Sequence, residues 1–583
     1  MDHALQPRDR GLTSPREKLA GIALAIPATL WLLVAFAAPM GIVFLLALQE
    51  SPDPFAPISL VPSLAQFRAL LLDAYYLGVV AETILLGLGV MAASALLGYP
   101  LALFLARLPA GVRPYAFAIV LIPLLTNVVV RSLGIVLLLA PDGLANSLLT
   151  PLGLGRPRGW LFTHFAVGLA LTQVFLPFMV LALYDSLLQA DKRLDEAAAS
   201  LGASRARTFF AVTLPLSLPG LRAGCTIVFL LASTAYVSAT ILGGKKVWVA
   251  GMIVWQEALT NLNAPTAAAM ATIMLVWGIA FAALAERAVR AAAPWLRGAA
   301  ARPPVFELPP ALARAAVVAL DLLGGVAAKL LLAAAILLLV FPLTLVVVQS
   351  FNDVPQASVA GFRAFTWKWY AAALESATYL RDARNSFDIA FVSMLCALAM
   401  ALPAAFALAR AEFPGKPAVS AFWMLPLALP HVAIAVGMLR LLQIFIAIPP
   451  FWGLVMVHVV LILPFCIALL RTSVLQLDRT LEQAAASLGA SPARVFVTTI
   501  LPNLAPGLAV AGILAFLISF GEVTVTSFLT TARLQTLPVR IYAEASFSLE
   551  PTVHAVSTLL ILGTVALLAL VNRFVKLDRV WAR

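Results

Sequence analysis

Apolar residues in this chain neither alternate nor fall on one helical stripe; they run on for about 20 positions at a time. Each run is long enough to cross a bilayer core of ~30 Å as a helix. Twelve can be drawn, near 21–48, 76–105, 115–140, 163–188, 220–243 and 265–286, then 328–349, 385–409, 418–440, 453–475, 507–530 and 552–574. A backbone in lipid must satisfy its own hydrogen bonds, which makes these runs helices. A transmembrane barrel would show short alternating segments instead. The pattern predicts an all-α polytopic membrane protein. The first run follows a basic lead, MDHALQPRDRGLTSPREK, and lacks a small-residue cleavage site, so it reads as a retained span.

Polar positions between the runs add a second pattern. DEAAASLGAS at 195–204 returns as EQAAASLGAS at 482–491. Aligned without a gap, residues 176–221 and 463–508 share 25 identities in 46 positions, including matched Pro, Gly, Asp and Phe. PLALFLARLPAGVRP (100–114) likewise resembles PAAFALARAEFPGKP (403–417). The chain reads as a tandem duplication of six spans, a pair of parallel repeats. The expected organisation is a first half at 1–286 with its loop at 189–219, a cytosolic linker at 287–327, and a second half at 328–583 with its loop at 476–506. The linker is rich in Pro, Arg and Ala, with a short surface helix expected at 311–322.

The repeated loop has a legible design. Asp191 and Asp478 stand where a carboxylate caps a short helix. Asp195, Glu196 and Glu482 place negative charge in its first turns. Gly202 and Gly489 stand at a left-handed stop, and Ser204 and Ser491 cap a second helix that Pro215 and Pro502 should end. The expected result is a helix–turn–helix with a small-residue face and an aromatic knob at Phe209 and Phe496. Connections between helices usually span ~2–8 residues, and about 30 residues here, twice, point to docking of another protein.

Glu-Ala-Ala, three residues, Gly and a downstream Leu-Pro resemble the signature loop of binding-protein-dependent ABC importer permeases. EAAASLG at 196–202 matches throughout, whereas the second copy has Gln483 in place of the glutamate. The resemblance implies that the loop is a coupling helix fitting a groove on a cytosolic ATPase dimer. It carries this role onto Glu196, Ala197, Ala198 and Gly202, and onto Gln483, Ala484, Ala485 and Gly489. SFNDVPQASVAGFRAFTWKWYAAAL after span seven and PLLTNVVVRSLG in span three resemble the two permeases of spermidine/putrescine importers, here joined head to tail. Permeases for ferric iron, thiamine and 2-aminoethylphosphonate are related. The implied partners are the ATPase, an extracytoplasmic solute-binding protein and the lipid of a bacterial inner membrane.

Charge and composition constrain the alternatives. The 583 residues are 62% hydrophobic and 11% charged, more apolar surface than a soluble domain could bury. With both termini cytosolic, 26 of the 39 Lys and Arg lie in or beside cytosolic segments, which accounts for most of the net charge of +12. No compact basic face or recognition motif accompanies that charge, which argues against nucleic-acid binding. Cys225, Cys396 and Cys466 sit in separate spans without ligand spacing, and His431 and His458 read as packing residues. No phosphate loop occurs, ILGGKKVW (241–248) having the wrong spacing, so ATP is the partner's substrate and no cofactor or metal is expected here. An ion-driven transporter would explain two six-helix halves but not the repeated loop. An integral membrane enzyme would need clustered catalytic groups that are not apparent.

Charges inside spans are few: Arg131 in span three, Asp388 near the outer end of span eight and Glu522 in span eleven. Each costs ~2.5–3.5 kcal/mol near the bilayer centre and should face a cavity or a partner. Arg131 and Glu522, with Tyr236 as an aromatic contact for a cation, are the expected substrate-path residues. A polyamine-like solute suits Glu522, and an anion such as an aminophosphonate suits Arg131.

Overall fold

The computed structural model of the protein describes residues 15–50, 61–109, 111–153, 155, 159–292, 310–356, 361–444, 448–547 and 550–575. In the first half the helices are α1 (Pro15–Leu32), α2 (Ala38–Ala47), α3 (Ala65–Leu72), α4 (Ala74–Arg107), α5 (Arg113–Leu125), α6 (Val128–Leu139) and α7 (Leu144–Leu149). Then follow α8 (His164–Gln189), α9 (Lys192–Ser200), α10 (Arg205–Thr208), α11 (Leu214–Thr234), α12 (Val237–Gly243), α13 (Ala250–Leu259) and α14 (Ala264–Ala292). The second half continues with α15 (Pro310–Gln349), α16 (Lys368–Glu375), α17 (Ala377–Arg410), α18 (Lys416–Ala428), α19 (His431–Ile444) and α20 (Pro450–Leu475). It ends with α21 (Arg479–Ser487), α22 (Pro492–Val495), α23 (Leu501–Phe520), α24 (Thr526–Leu529), α25 (Leu537–Phe547) and α26 (Thr552–Val575). Among the described residues the only β pairing is an isolated bridge between Asn352 and Phe365.

Among the described residues eleven helices are long and apolar enough to span a membrane, and α18 with α19, bent by 98°, makes a twelfth if counted as one span. The expected run at 115–140 is broken as well, into α5 and α6. Local chemistry sets the helix ends. The Asp73 carboxylate accepts the Tyr75 N–H at the start of α4 (2.7 Å), and Ser376 accepts the Tyr379 N–H at the start of α17 (3.4 Å). Gly415, with φ of +78°, turns the chain into α18.

Three expectations need correction. Pro215 and Pro502 do not end the second loop helix. Each lies in the first turn of α11 or α23, after a π-helical stretch (Phe209–Thr213, Phe496–Ile500), so the helices run on from Arg205 to Thr234 and from Pro492 to Phe520. Wider i→i+5 bonding upstream accommodates a proline that lacks an N–H and crowds the preceding turn. No short surface helix stands alone at 311–322, because α15 is continuous across it. The spans expected at 220–243 and 507–530 stop early, at Thr234 and Phe520, and restart as the short α12 and α24.

In each half α8 or α20 is enclosed by its neighbours, α4 and α11 or α17 and α23. Small residues permit the approach: a Cβ on Gly220 would lie 2.5 Å from the Ala182 carbonyl oxygen. The first span of each half packs on the other half. α1 lies against α17 and α2 against α19, while α15 lies against α4 and α6. The two crossings match. A Cβ on Gly134 would fall 2.2 Å from the Pro342 carbonyl oxygen, and one on Gly437 would fall 2.5 Å from that of Pro39. Trp423 adds a hydrogen bond from Nε1 to Thr29 Oγ1 at 3.1 Å.

Candidate functional site

The repeated loops fold alike, atom for atom in their caps. Asp191 accepts the Arg193 N–H and Asp478 the Thr480 N–H, both at 2.9 Å. The bonds from Thr480 hold the exposed Asp478 carboxyl below the usual carboxylate range. At the far end of α9, Gly202 N–H bonds Ala199 O (2.9 Å) and Ala203 N–H bonds Ala198 O (3.0 Å). Gly489 and Ala490 repeat this at 2.9 and 3.2 Å. Both glycines are left-handed, with φ of +79° and +83°, so each helix closes in a Schellman turn. Ser204 and Ser491 then accept the N–H of Arg207 and Arg494.

Exposure along α9 and α21 follows the same pattern. Glu196, Ala197, Gln483 and Ala484 face solvent, Ala198 and Ala485 are half-buried, and Asp195 and Glu482 turn inward. The inward acids meet arginines at the ends of the long spans: Arg107 to Asp195 at 3.8 Å, and Arg410 to both oxygens of Glu482 at 2.5 and 2.6 Å. The two rings expected as an aromatic knob are half-buried. Phe209 packs its ring on Tyr99 (5.2 Å between centroids) and Phe496 on Phe406 (6.2 Å), both toward the spans. Phe210 and Val497 are exposed to a lesser degree, and the most exposed apolar groups of the loops are Leu201 and Leu488, 89% and 88% exposed at the turn. Sequence reasoning passed over them as part of a small-residue run, although a leucine kept in both copies of a polar turn was the available signal.

A second constellation lies where helices break. Asn127, between α5 and α6, accepts the Val129 N–H on Oδ1 (2.7 Å) and donates from Nδ2 to the Gly521 carbonyl (2.8 Å) in the other half. Glu522, between α23 and α24, accepts Val525 N–H at 2.7 Å and Thr524 N–H at 3.1 Å. Its carboxylate therefore satisfies backbone donors released by the break. Tyr236, between α11 and α12, reaches across to Ser527 Oγ with its hydroxyl. His458 ties Ser519 (2.7 Å) to Thr526 (3.0 Å) over the same break. Tyr236 and Glu522 thus stand on facing breaks from opposite halves, joined through Ser527. Tyr236 is 1% exposed, with Phe528 and Tyr542 edge-on at 6.1 Å, so its ring faces are enclosed and not offered to a solute in this conformation.

Arg131 is elsewhere. It is buried and donates to the Val174 carbonyl at 3.1 Å. Asp388 is half-exposed beside Arg384 (3.7 Å). Asn127 and His458 are the functional candidates that the sequence reading missed or set aside; an Asn before the apolar run VVV was a cap signal.

The opposite ends of the long spans repeat as well. Tyr76 donates to Glu257 (3.3 Å) and Tyr379 to Glu544, tying α4 to α13 and α17 to α25. Thr83 accepts the first N–H of α13 (2.9 Å), and Ser386 that of α25 (2.8 Å).

The sequence of each half matches known proteins. Residues 96–298 and 397–577 each match the profile of the binding-protein-dependent transport system inner membrane component. The spermidine/putrescine transport system permease protein PotB of Escherichia coli (strain K12) is 37% identical over 211 residues, 36% of this chain and 77% of that protein. PotC of Haemophilus influenzae is 30% identical over 232 residues, covering 40% and 90%. Among solved structures, a bacterial ABC transporter involved in importing the acidic polysaccharide alginate aligns with 47% of this chain and 96% of its own, at 19% identity and a TM-score of 0.39.

Proposed function

The chain belongs to the family of binding-protein-dependent transport system inner membrane components, and from that premise we propose that it alone supplies both halves of the path for a small cationic solute of the polyamine type. A separate ATPase dimer docks on α9 and α21, and an extracytoplasmic binding protein delivers the solute. Both termini and the linker at 287–327 lie in the cytosol, with the halves at 1–286 and 328–583.

The observation that carries the coupling role is the pair of matching loops, each presenting a small-residue face and an exposed leucine beside a left-handed glycine. Such a surface enters a groove without steric conflict. The solute follows from the two polyamine-permease relatives and from Glu522, whose carboxylate stands at the junction of the halves. In the closed junction that carboxylate is occupied by backbone donors. Opening the breaks would release it to a cation, while Tyr236 would release Ser527. Arg131, the residue that favoured an anion, is engaged with the Val174 carbonyl.

Uptake is the test. Vesicles holding this chain, its ATPase and its binding protein should accumulate labelled putrescine or spermidine with ATP, and Glu522→Gln should lower uptake about tenfold or more. Binding of 2-aminoethylphosphonate, ferric iron or thiamine by that binding protein, with both polyamines ignored, overturns the solute and leaves the importer intact. Orientation has its own test: a cysteine at 304 should resist an impermeant reagent in intact cells, and one at 154 should react.

A further inference from the structure

α4 and α17 each run unbroken, through Pro100 and Pro403 respectively, and are fastened at both ends. At one end Arg107 and Arg410 close α4 and α17 and hold the inward acids of the docking helices. At the other, Tyr76 with Thr83 and Tyr379 with Ser386 hold α13 and α25. These short helices follow directly on the broken segments that bring Tyr236 and Glu522 together. From Tyr76 to Arg107 the helix covers 31 steps, roughly 47 Å at 1.5 Å each. Continuous helix is stiff along its axis, so a displacement of one end is carried to the other.

We propose that Arg410 and Arg107 are positioning residues that join each ATPase-docking helix to its long span, and that the second joint is the tighter. This rests on the docking reading given above. The asymmetry is geometric. Arg410 and Glu482 are 17% and 23% exposed and in contact through two oxygens, with the guanidinium also 5.4 Å from the Phe406 ring centre. Phe406 in turn packs on Phe496, just past the loop. Arg107 and Asp195 are 62% and 36% exposed and 3.8 Å apart, and Asp195 divides itself with Thr213, which donates to it at 3.1 Å. An exposed pair at that separation is weak, and a more enclosed, multiply contacted one is stronger. The joint also explains the departure at Gln483. The acid that faces inward is the one kept in both halves, at 195 and 482, whereas position 196 or 483 faces out and does not need the same charge to hold the helix.

The test uses the full chain in nanodiscs with its ATPase and binding protein. Arg410→Gln should leave the ATPase co-purifying, because the pair lies behind the docking face, yet lower the stimulation of ATP hydrolysis by loaded binding protein about tenfold, and Arg107→Gln about threefold or less. Exchanging the charges, Arg410→Glu with Glu482→Arg, should restore most of the stimulation. Full stimulation in Arg410→Gln with the ATPase bound overturns the joint and spares docking. Failure of Gly202→Asp with Gly489→Asp to affect the ATPase overturns docking itself. If Arg410→Gln does not insert, Glu482→Gln and the exchanged pair decide: stimulation near wild type in Glu482→Gln, or no recovery in the exchange, overturns the proposal.

Discussion

Gly202 and Gly489 have open space where a side chain would sit, so conformation alone, and not crowding, reserves these positions for glycine. Aspartate at both should cost about 1 kcal/mol or more per turn through the left-handed backbone and add charge at the contact. The expected outcome is an inserted permease whose ATPase no longer co-purifies and is no longer stimulated. Leu201 and Leu488 make a sharper test, because they touch nothing in the chain that their loss would unfold. Leu201→Asp with Leu488→Asp should weaken ATPase binding by about 2 kcal/mol or more, measured by titration, with thermal stability unchanged. Asp478 contributes a pH effect. Its folded carboxyl is held low, so its capping is fully present above the usual carboxylate range and lost as pH falls through the depressed value. The protection of the Thr480 amide against exchange, taken relative to its intrinsic rate, should fall over that acidic window.

At the scale of elements the breaks are held by side chains, not by the bilayer. Asn127 serves one half as a cap and the other as a donor. Asn127→Ser keeps an acceptor for Val129 without adding a buried charge and is too short to donate to Gly521. Asn127→Ala removes both and strands the buried Val129 N–H and the half-buried Gly521 carbonyl, at about 1–3 kcal/mol each. Thermal unfolding should therefore rank wild type, Ser, then Ala, while uptake falls in both variants. Equal stability of Ser and Ala would deny the cap any weight. The repeats at 176–221 and 463–508 were legible because caps and left-handed stops are local chemistry. The π turns ahead of Pro215 and Pro502 were not, since a proline by itself reads as a stop.

In the whole molecule, the first span of each half serves the other. Gly134 against Pro342 and Gly437 against Pro39 leave no room for a methyl group. Gly134→Ala or Gly437→Ala should cost about 1–3 kcal/mol by overpacking, read as a lowered Tm in detergent, whereas alanine at Gly89, which has nothing nearby, should be neutral or stabilising. Fragments 1–300 and 301–583 made together should co-purify, because α1, α2 and α15 each grip the partner fragment. Separate elution would refute the exchanged arrangement.

Hydropathy determined the helical class and the approximate spans, because a bilayer dictates length and apolarity to any helix that crosses it; the gapless match of 176–221 with 463–508 determined the duplication. Capping residues determined the loops. Tertiary structure decided which faces meet. Lipid is as apolar as leucine, so a span's composition does not distinguish a lipid-facing side from a packed one. That is why the Val174 carbonyl was not foreseen as the partner of Arg131. In the loops, packing against the span ends set Phe209 and Phe496 on Tyr99 and Phe406, left Leu201 and Leu488 exposed, and brought the acids at 195 and 482 to Arg107 and Arg410, which are remote in sequence.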